Sequence, residues 1–151
     1  MYEQLSKRVD QVIKLANKIA REYELEYVGT EHILLAISQE GTGLGVEILR
    51  RHGVSHDKLK GAIDRLIQAS LEDTWVFGRL PGTPHFRNVV ATAIEEARDL
   101  KGREVCTEHL LLGLLAEKGC VAQKALKALG LTTKQVRQDI LDHQSAQPKT
   151  P

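Results

Sequence analysis

Apolar residues recur at intervals of three and four along most of the chain. The first segment with this spacing contains Val9, Val12, Ile13, Ala16, Ile19, Ala20 and Tyr23. A second segment repeats the spacing with Phe86, Val89, Val90, Ala93, Ala97 and Leu100. Such spacing places the apolar side chains on one face of an α-helix. The shorter runs "HILLAISQ" and "HLLLGLLA" are almost wholly apolar, and they indicate short helices that are mostly buried.

The two halves of the chain are related by an offset of 77 residues. Thr30 then aligns with Thr107, and matches extend without a gap from Ser6 to Asp64. This ungapped register indicates an internal duplication. Each half predicts four helices, so we expect an all-α protein of eight helices that forms one compact domain. The predicted parts are a first repeat at 1–69, a linker at 70–82, a second repeat at 83–143 and a disordered tail at 144–151.

Residues typical of helix ends mark the boundaries of these helices. Ser6 and Thr83, the latter followed by Pro84, are predicted to begin the first helix of each half. Gly53 and Gly130 are predicted to follow the ends of the third helices, where a left-handed residue is common. The fourth helices are predicted to begin at Ser55, and at Thr132 or Thr133, and to run to about Ala69 and about His143.

The segments "VGTEHILLAI" and "VCTEHLLLGL" repeat a Thr-Glu-His motif where the second helix of each half should begin. A threonine hydroxyl can accept a hydrogen bond from a free N–H there, and a glutamate suits the positive end of the helix dipole. Capping alone could explain Thr30, Glu31, Thr107 and Glu108. A helix start can also bind an anion, and a carboxylate beside it can bind a guanidinium. The residues leave both interpretations open.

Composition and charge narrow the class of protein. Among the 151 residues, 42% are hydrophobic and only 4% are aromatic, which favours a core of helices packed through aliphatic side chains. The net charge of +1 provides no cationic field for a nucleic acid or an anionic membrane. The start of the chain is charged, and no apolar run has the length of a membrane span. Two cysteines do not make a disulfide framework, so we expect a cytoplasmic protein with free thiols. We also expect the chain to be monomeric in isolation.

Candidate catalytic and metal chemistry has little support in the sequence. Among His32, His109, Cys106 and Cys120, Cys106 and His109 are the only close pair, and zinc sites usually pair two such motifs. The histidines are better interpreted as helix-start residues whose rings hydrogen-bond locally. The glycine-rich "EGTGLGVEI" lacks the Lys-Ser/Thr of a phosphate-binding loop. We therefore predict no metal, no cofactor and no enzymatic activity.

The doubled motif and its surroundings resemble a known family, the double Clp N-terminal domain of ClpC- and ClpA-type AAA+ unfoldases. The features that carry the resemblance are the two Thr-Glu-His segments, the "EGTG" and "EKGC" loops, Gly53, Gly130 and Thr83-Pro84. They span about residues 1–143. The pattern is more similar to ClpC, in which both halves carry Gly-Thr-Glu-His.

The resemblance implies two four-helix repeats related by a pseudo-two-fold axis. It also implies a non-catalytic docking domain on the Clp ATPase ring, which binds adaptor proteins and protein substrates and feeds the Clp protease. In ClpC relatives of Gram-positive bacteria, this domain also binds phosphorylated arginine. By position, Glu31 and Glu108 would bind the guanidinium, with Thr30 and Thr107 beside them. An alternative is a free-standing regulatory protein that competes with the unfoldase's own N-domain for the same partners.

Three features depart from the family pattern or stay open. Cys106 stands where the family motif has glycine, and the second loop reads Lys118-Gly119-Cys120, so the second site is expected to be the weaker copy. Arg103 is a candidate to reach an anion at that site.

The linker contains Trp75 and Phe77 in a chain poor in aromatics. We expect them to pack between the repeats, with exposed partner-binding anchors as the alternative.

Overall fold

A computed structural model describes residues 5–22, 28–73, 83–102 and 104–146, and these residues form helices connected by short loops. The sequence hypotheses for Trp75, Phe77 and Arg103 lie outside this described part. The helices are α1 (Lys7–Glu22), α2 (Thr30–Glu40), α3 (Leu44–Arg51), α4 (His56–Asp73), α5 (Thr83–Asp99), α6 (Thr107–Ala116), α7 (Val121–Ala128) and α8 (Thr133–Ala146). The predicted all-α class with eight helices in two repeats is confirmed.

The two repeats interlock through their third helices. Helix α1 packs on α2, and α5 packs on α6 in the same way. By contrast, α3 contacts α6 and α8 of the second repeat, and α7 contacts α2 and α4 of the first. The backbone N–H of Ser6 also donates to the carbonyl of Val105, at 2.9 Å. Each repeat therefore completes the packing of the other.

Helices α2 and α6 occupy the centre of the protein. The largest fully buried side chains include Ile33, Leu34 and Ile37 on α2, and they lie in the same core as three leucines of α6. Those leucines are Leu110, Leu111 and Leu112. Since these two helices carry the Thr-Glu-His motifs at their first turns, the core fixes the position of both motifs.

Several predicted helix ends are confirmed. The Ser6 hydroxyl accepts a hydrogen bond from the N–H of Val9, at 3.1 Å, and thus caps α1. Thr132, not Thr133, caps α8, because its hydroxyl accepts from the N–H of Gln135 at 3.2 Å. Gly53 and Gly130 follow α3 and α7 with φ of 74° and 87°. This left-handed conformation is one that glycine adopts without steric cost.

Two helices extend further than the sequence indicated. Helix α4 was predicted to run to about Ala69 but continues to Asp73, four residues into the predicted linker. Helix α8 continues to Ala146, three residues beyond the predicted end at His143 and into the predicted disordered tail. Neither segment contains glycine or proline, so nothing in the local sequence stops these helices. Within the part of the chain described, no helix is long and apolar enough to cross a membrane.

Candidate functional site

The motif threonines are the first residues of their helices, not the caps that the sequence predicted. Gly29 and Cys106 occupy the N-cap positions of α2 and α6, and neither provides a side-chain cap. Thr30 and Thr107 follow them and are each 1% exposed. The prediction that these hydroxyls cap their own helices was therefore wrong.

Each threonine instead supports a helix of the other repeat. The Thr107 hydroxyl accepts a hydrogen bond from the N–H of Gly45, at the second position of α3, with an N···O distance of 2.9 Å. The Thr30 hydroxyl accepts from the N–H of Ala122, at the equivalent position of α7, at 3.4 Å. A Cβ on Gly45 would lie 2.9 Å from the Cβ of Thr107, so glycine permits the shorter bond. We call these two bonds the exchanged caps.

The motif histidines provide the local caps. His32 Nδ1 accepts from the N–H of Gly29 at 2.8 Å, and His109 Nδ1 accepts from the N–H of Cys106 at 2.9 Å. Histidine thus takes the role that glutamate or glutamine has in a capping box. Burial lowers the pKa of each imidazole to about 4, so both rings are neutral at pH 7. This confirms the interpretation of the histidines as locally bonded helix-start residues.

Glu31 is buried at the start of α2, with 6% of its surface exposed. Burial raises the pKa of its carboxyl group, while a hydrogen bond from its own backbone N–H and the nearby His85 act to lower that pKa. Within the described residues, no lysine or arginine forms an ion pair with this carboxylate. Among the described residues, the charge of this carboxylate is therefore only weakly compensated.

Glu108 occupies the equivalent place on α6 but is only half-buried. Burial again raises the pKa of its carboxyl group most, and the charge of Glu47 raises it further. Its own backbone N–H and the charges of His143 and Arg8 lower that pKa. The two motif glutamates thus lie in different electrostatic surroundings.

Arg8 and His85 are site residues that the sequence analysis missed. They are related by the 77-residue offset, and each acts electrostatically on the motif glutamate of the other repeat: Arg8 on Glu108, and His85 on Glu31. The 77-residue offset shows that Arg8 and His85 are equivalent positions, but it does not show that they lie near the motifs. Their location there results from the interlocked packing of the two repeats. Each candidate site is consequently built from both repeats.

Arg8 and His85 are each linked to a glutamate, Arg8 through a threonine and His85 directly. Arg8 Nε donates to the Thr42 hydroxyl at 2.9 Å, and Thr42 in turn donates to the carboxylate of Glu40. In the second repeat, where glycine replaces that threonine, His85 Nδ1 contacts the carboxylate of Glu117 directly, at 2.6 Å. The contact with Glu117 fixes the orientation of the His85 ring.

Cys106, Glu108 and His109 place one potential metal-ligand atom each within 4.8 Å of one another. The Nδ1 lone pair of His109 already accepts the N–H of Cys106, however, and cannot also bind a metal. Burial, together with Glu108 and Glu104, raises the pKa of the Cys106 thiol to about 11, which disfavours the thiolate that a metal needs. The hydrogen bond at the start of α6 accounts for the closeness of Cys106 and His109.

The fold and the two motifs define a class: a helical tandem-repeat domain in which the repeats exchange caps across a pseudo-two-fold axis. The particular family is established by comparison. The Clp repeat (R) N-terminal domain model matches residues 4–74 and 82–151, and the chain belongs to this family.

Relatives with known names agree with this assignment. The chain is 39% identical over 141 residues to a probable ATP-dependent Clp protease ATP-binding subunit of Chlamydia pneumoniae. It is 33% identical over 141 residues to the chloroplastic chaperone protein ClpC2 of Oryza sativa. Both matches cover 93% of this chain but only 17% and 15% of the relatives. The chain thus corresponds to a small part of these longer proteins.

Solved structures show the same fold. The N-terminal domain of the chaperone ClpD from Arabidopsis thaliana superposes with a TM-score of 0.70 at 20% identity, covering 97% of each chain. The N-terminal domain of the ClpV1 ATPase from E. coli superposes with a TM-score of 0.65 at 21% identity, covering 99% of this chain and 93% of that one. A Clp N-domain fold is consistent with a protein-interaction module.

Proposed function

We propose that this chain is a non-catalytic docking domain that binds adaptor proteins and protein substrates on behalf of a Clp ATPase in the cytoplasm. The observation that carries the proposal is the Glu31 carboxylate, which is buried at a helix start without a lysine or arginine partner among the described residues. A buried carboxylate without a full countercharge is costly to the folded protein. A cationic ligand would supply the missing countercharge, and this gives the buried carboxylate a role in binding.

The ligand that best fits this position is a phosphorylated arginine side chain on a protein substrate. Its guanidinium can form a bidentate pair with Glu31, and charge-assisted bonds of this kind are about twice as strong as neutral ones. Its phosphoryl group requires N–H donors or a cation, and the start of α2 can supply N–H donors. Thr30 positions the site indirectly, because its hydroxyl joins the start of α2 to α7.

Thr107 and Glu108 form the second candidate site. There Arg8 provides a permanent positive charge that could approach a phosphoryl group. The same arginine already neutralises part of the Glu108 charge, so the gain from adding a guanidinium is smaller than at Glu31. The second site is therefore proposed as the weaker one.

Calorimetric titration with free phosphoarginine tests this function. The wild-type chain should bind, and Glu31→Ala should weaken binding by about 10- to 100-fold, since a hydrogen bond to a charged group contributes roughly 1.5–3 kcal/mol. Glu95→Ala, which removes an exposed glutamate on α5, is the matched control and should bind as the wild type does.

The result is interpretable only if the variants remain folded. Circular dichroism should therefore give Glu31→Ala a cooperative thermal transition like that of the wild type. If the folded wild-type chain binds no phosphoarginine, the proposed ligand is refuted. If the folded Glu31→Ala variant is then also more stable than the wild type, Glu31 is only a helix-start residue.

A further inference from the structure

The outer face of α1 carries a row of positively charged side chains. An α-helix turns by about 100° per residue, so residues 7, 14, 18 and 21 lie within an arc of about 60°, on the side opposite the buried Val9, Val12 and Ala16. They span about 21 Å along the axis, since the rise is about 1.5 Å per residue. All four side chains are exposed. We call these residues the cationic row: Lys7, Lys14, Lys18 and Arg21.

The cationic row places like charges next to one another. Lys14 and Lys18 are four residues apart, and Lys18 and Arg21 are three apart, so each pair shares one side of the helix. Charges so placed repel each other, and Lys7 in the first turn opposes the helix dipole. Asp10 pairs with Lys14 at 3.3 Å, but within the described residues the other three cations form no ion pair. The stability of α1 therefore does not explain the row.

The second repeat shows that the fold does not require these cations. At the 77-residue offset, three of the four positions on α5 are neutral or acidic, and Glu95 lies three residues before Arg98, where opposite charges attract. Departures from local stability rules are expected at functional positions. The row on α1 is such a departure, and its counterpart on α5 is not.

Helix α1 concentrates positive charge on a surface that is open to a partner. It contains five basic and two acidic residues, an excess of three positive charges in a chain whose net charge is only +1. The helix packs on α2 through its opposite face, so this packing leaves the cationic row uncovered. A complementary partner would present negative charges along a line of about 21 Å.

We propose that the cationic row docks an acidic α-helix of a partner protein. A helix with carboxylates at the same spacings presents them in a matching line, and opposite charges increase the rate and the specificity of association. The inference rests on the proposed docking function. It deepens that function by giving it a surface that contains no residue of the two motifs.

Other anionic partners fit this surface less well. Asp10 and Glu22 flank the cationic row on opposite sides, and they would repel the phosphates of a nucleic acid. A helix that lies on a membrane inserts its apolar face into the lipid, whereas the apolar face of α1 is buried in the core. A protein can place basic side chains opposite Asp10 and Glu22, and these two residues then add specificity.

Fluorescence anisotropy with a labelled, alanine-based helical peptide tests the inference. The matched peptide carries four glutamates at the spacings of the cationic row, and the rearranged peptide has the same composition with its glutamates spread around the helix. At about 0.1 M salt, where the screening length is about 10 Å, the wild type should bind the matched peptide at least about threefold more tightly. Lys18→Glu should weaken that binding by about three- to tenfold, because repulsion replaces attraction in the middle of the row.

Lys18→Glu separates binding from folding because it copies Glu95 of α5. The new glutamate has opposite charges next to it at Lys14 and Arg21, so thermal stability should equal or exceed that of the wild type while peptide binding falls. Lys124→Glu makes the same change of charge at an exposed position on α7 and is the matched control. It should change peptide binding by less than about twofold.

The outcomes distinguish this inference from the function on which it rests. Equal binding of the two peptides, or equal losses in Lys18→Glu and Lys124→Glu, would overturn the inference. Tighter binding of a single-stranded RNA or of phosphatidylserine vesicles than of the matched peptide would also overturn it. A wild type that binds phosphoarginine but not the matched peptide overturns the inference alone, whereas one that binds the matched peptide but not phosphoarginine overturns only the ligand proposed for the motifs.

The cationic row is also expected to be independent of the motif sites. Lys18→Glu should therefore bind phosphoarginine as the wild type does, and a parallel loss of both kinds of binding in this variant would overturn the assignment of a separate surface.

Discussion

Replacing Thr107 by valine tests the exchanged caps, because this change removes the hydroxyl and keeps the shape. The Gly45 N–H would lose its 2.9 Å acceptor in a fully buried place, where Thr107 is 1% exposed. Helix α3 would also lose side-chain capping, since its N-cap residue is Gly43. A lost N-cap costs about 0.5–2 kcal/mol and an unsatisfied buried donor about 1–3 kcal/mol, so we expect a loss of about 2 kcal/mol.

The equivalent change in the first repeat should cost less. The bond from Ala122 to the Thr30 hydroxyl is longer, at 3.4 Å, and α7 has a second cap because the thiol of Cys120 accepts from the N–H of Gln123. We therefore expect Thr30→Val to destabilise the protein by about 1 kcal/mol. The expected order, Thr107→Val above Thr30→Val, follows from the two geometries and not from the shared sequence motif.

Urea and thermal unfolding followed by circular dichroism measure both changes. For a domain of this size, 1 kcal/mol shifts Tm by about 2–4 °C, so Thr107→Val should lower Tm by roughly 4–8 °C. Thr92→Val makes the same chemical change at a half-buried position on α5 and is the control. Its free energy of unfolding should lie within about 0.5 kcal/mol of that of the wild type. If Thr107→Val matches Thr92→Val, or if Thr30→Val is the more damaging variant, the exchanged caps do not stabilise the fold as argued.

Two further predictions concern packing and pH. Gly113→Ala should destabilise the protein by about 1–3 kcal/mol, because the new Cβ would lie 2.6 Å from the Val89 carbonyl oxygen. Gly61→Ala, which meets nothing within 4 Å, should instead stabilise it by about 0.5–1 kcal/mol, and equal effects in urea unfolding would contradict this. Burial lowers the pKa of His32 and His109 from 6.5 to about 4, so the unfolded chain binds protons first as the pH falls. The free energy of unfolding should therefore decrease as the pH falls from 6.5 to about 4. Replacing both His32 and His109 by glutamine, which keeps the caps, should make this decrease smaller, as measured by the urea midpoint. If the urea midpoint of the double variant depends on pH as that of the wild type does, the proposed titration of these rings is refuted. The motif glutamates contribute with the opposite sign, but they are present in both the wild type and the double variant and so do not affect the comparison.

The features that the sequence predicted correctly depend on neighbouring residues. The helices follow from apolar periodicity, and the ends at Ser6, Gly53 and Gly130 follow from capping rules that act within a few residues. The interpretation of the two motif histidines held for the same reason, since each ring bonds three residues away.

The features that it missed depend on long-range packing. The capping rules assigned the threonine hydroxyls to the nearest helix, but their donors lie 62 and 92 residues away in the chain. Arg8 and His85 carry no local signal, and only the interlocked fold brings them to the motifs.

The exchanged caps also bear on how such a chain could have arisen. A single repeat would carry a threonine acceptor and a helix-start donor that it could not bring together within itself. Two identical copies would form both bonds at once, as an isologous dimer with two-fold symmetry does. The present chain has the organisation of such a dimer after its subunits were joined, and joining them removed the requirement that the copies stay identical. The difference between Gly29 and Cys106 is a change that a symmetric homodimer could not make in one subunit alone.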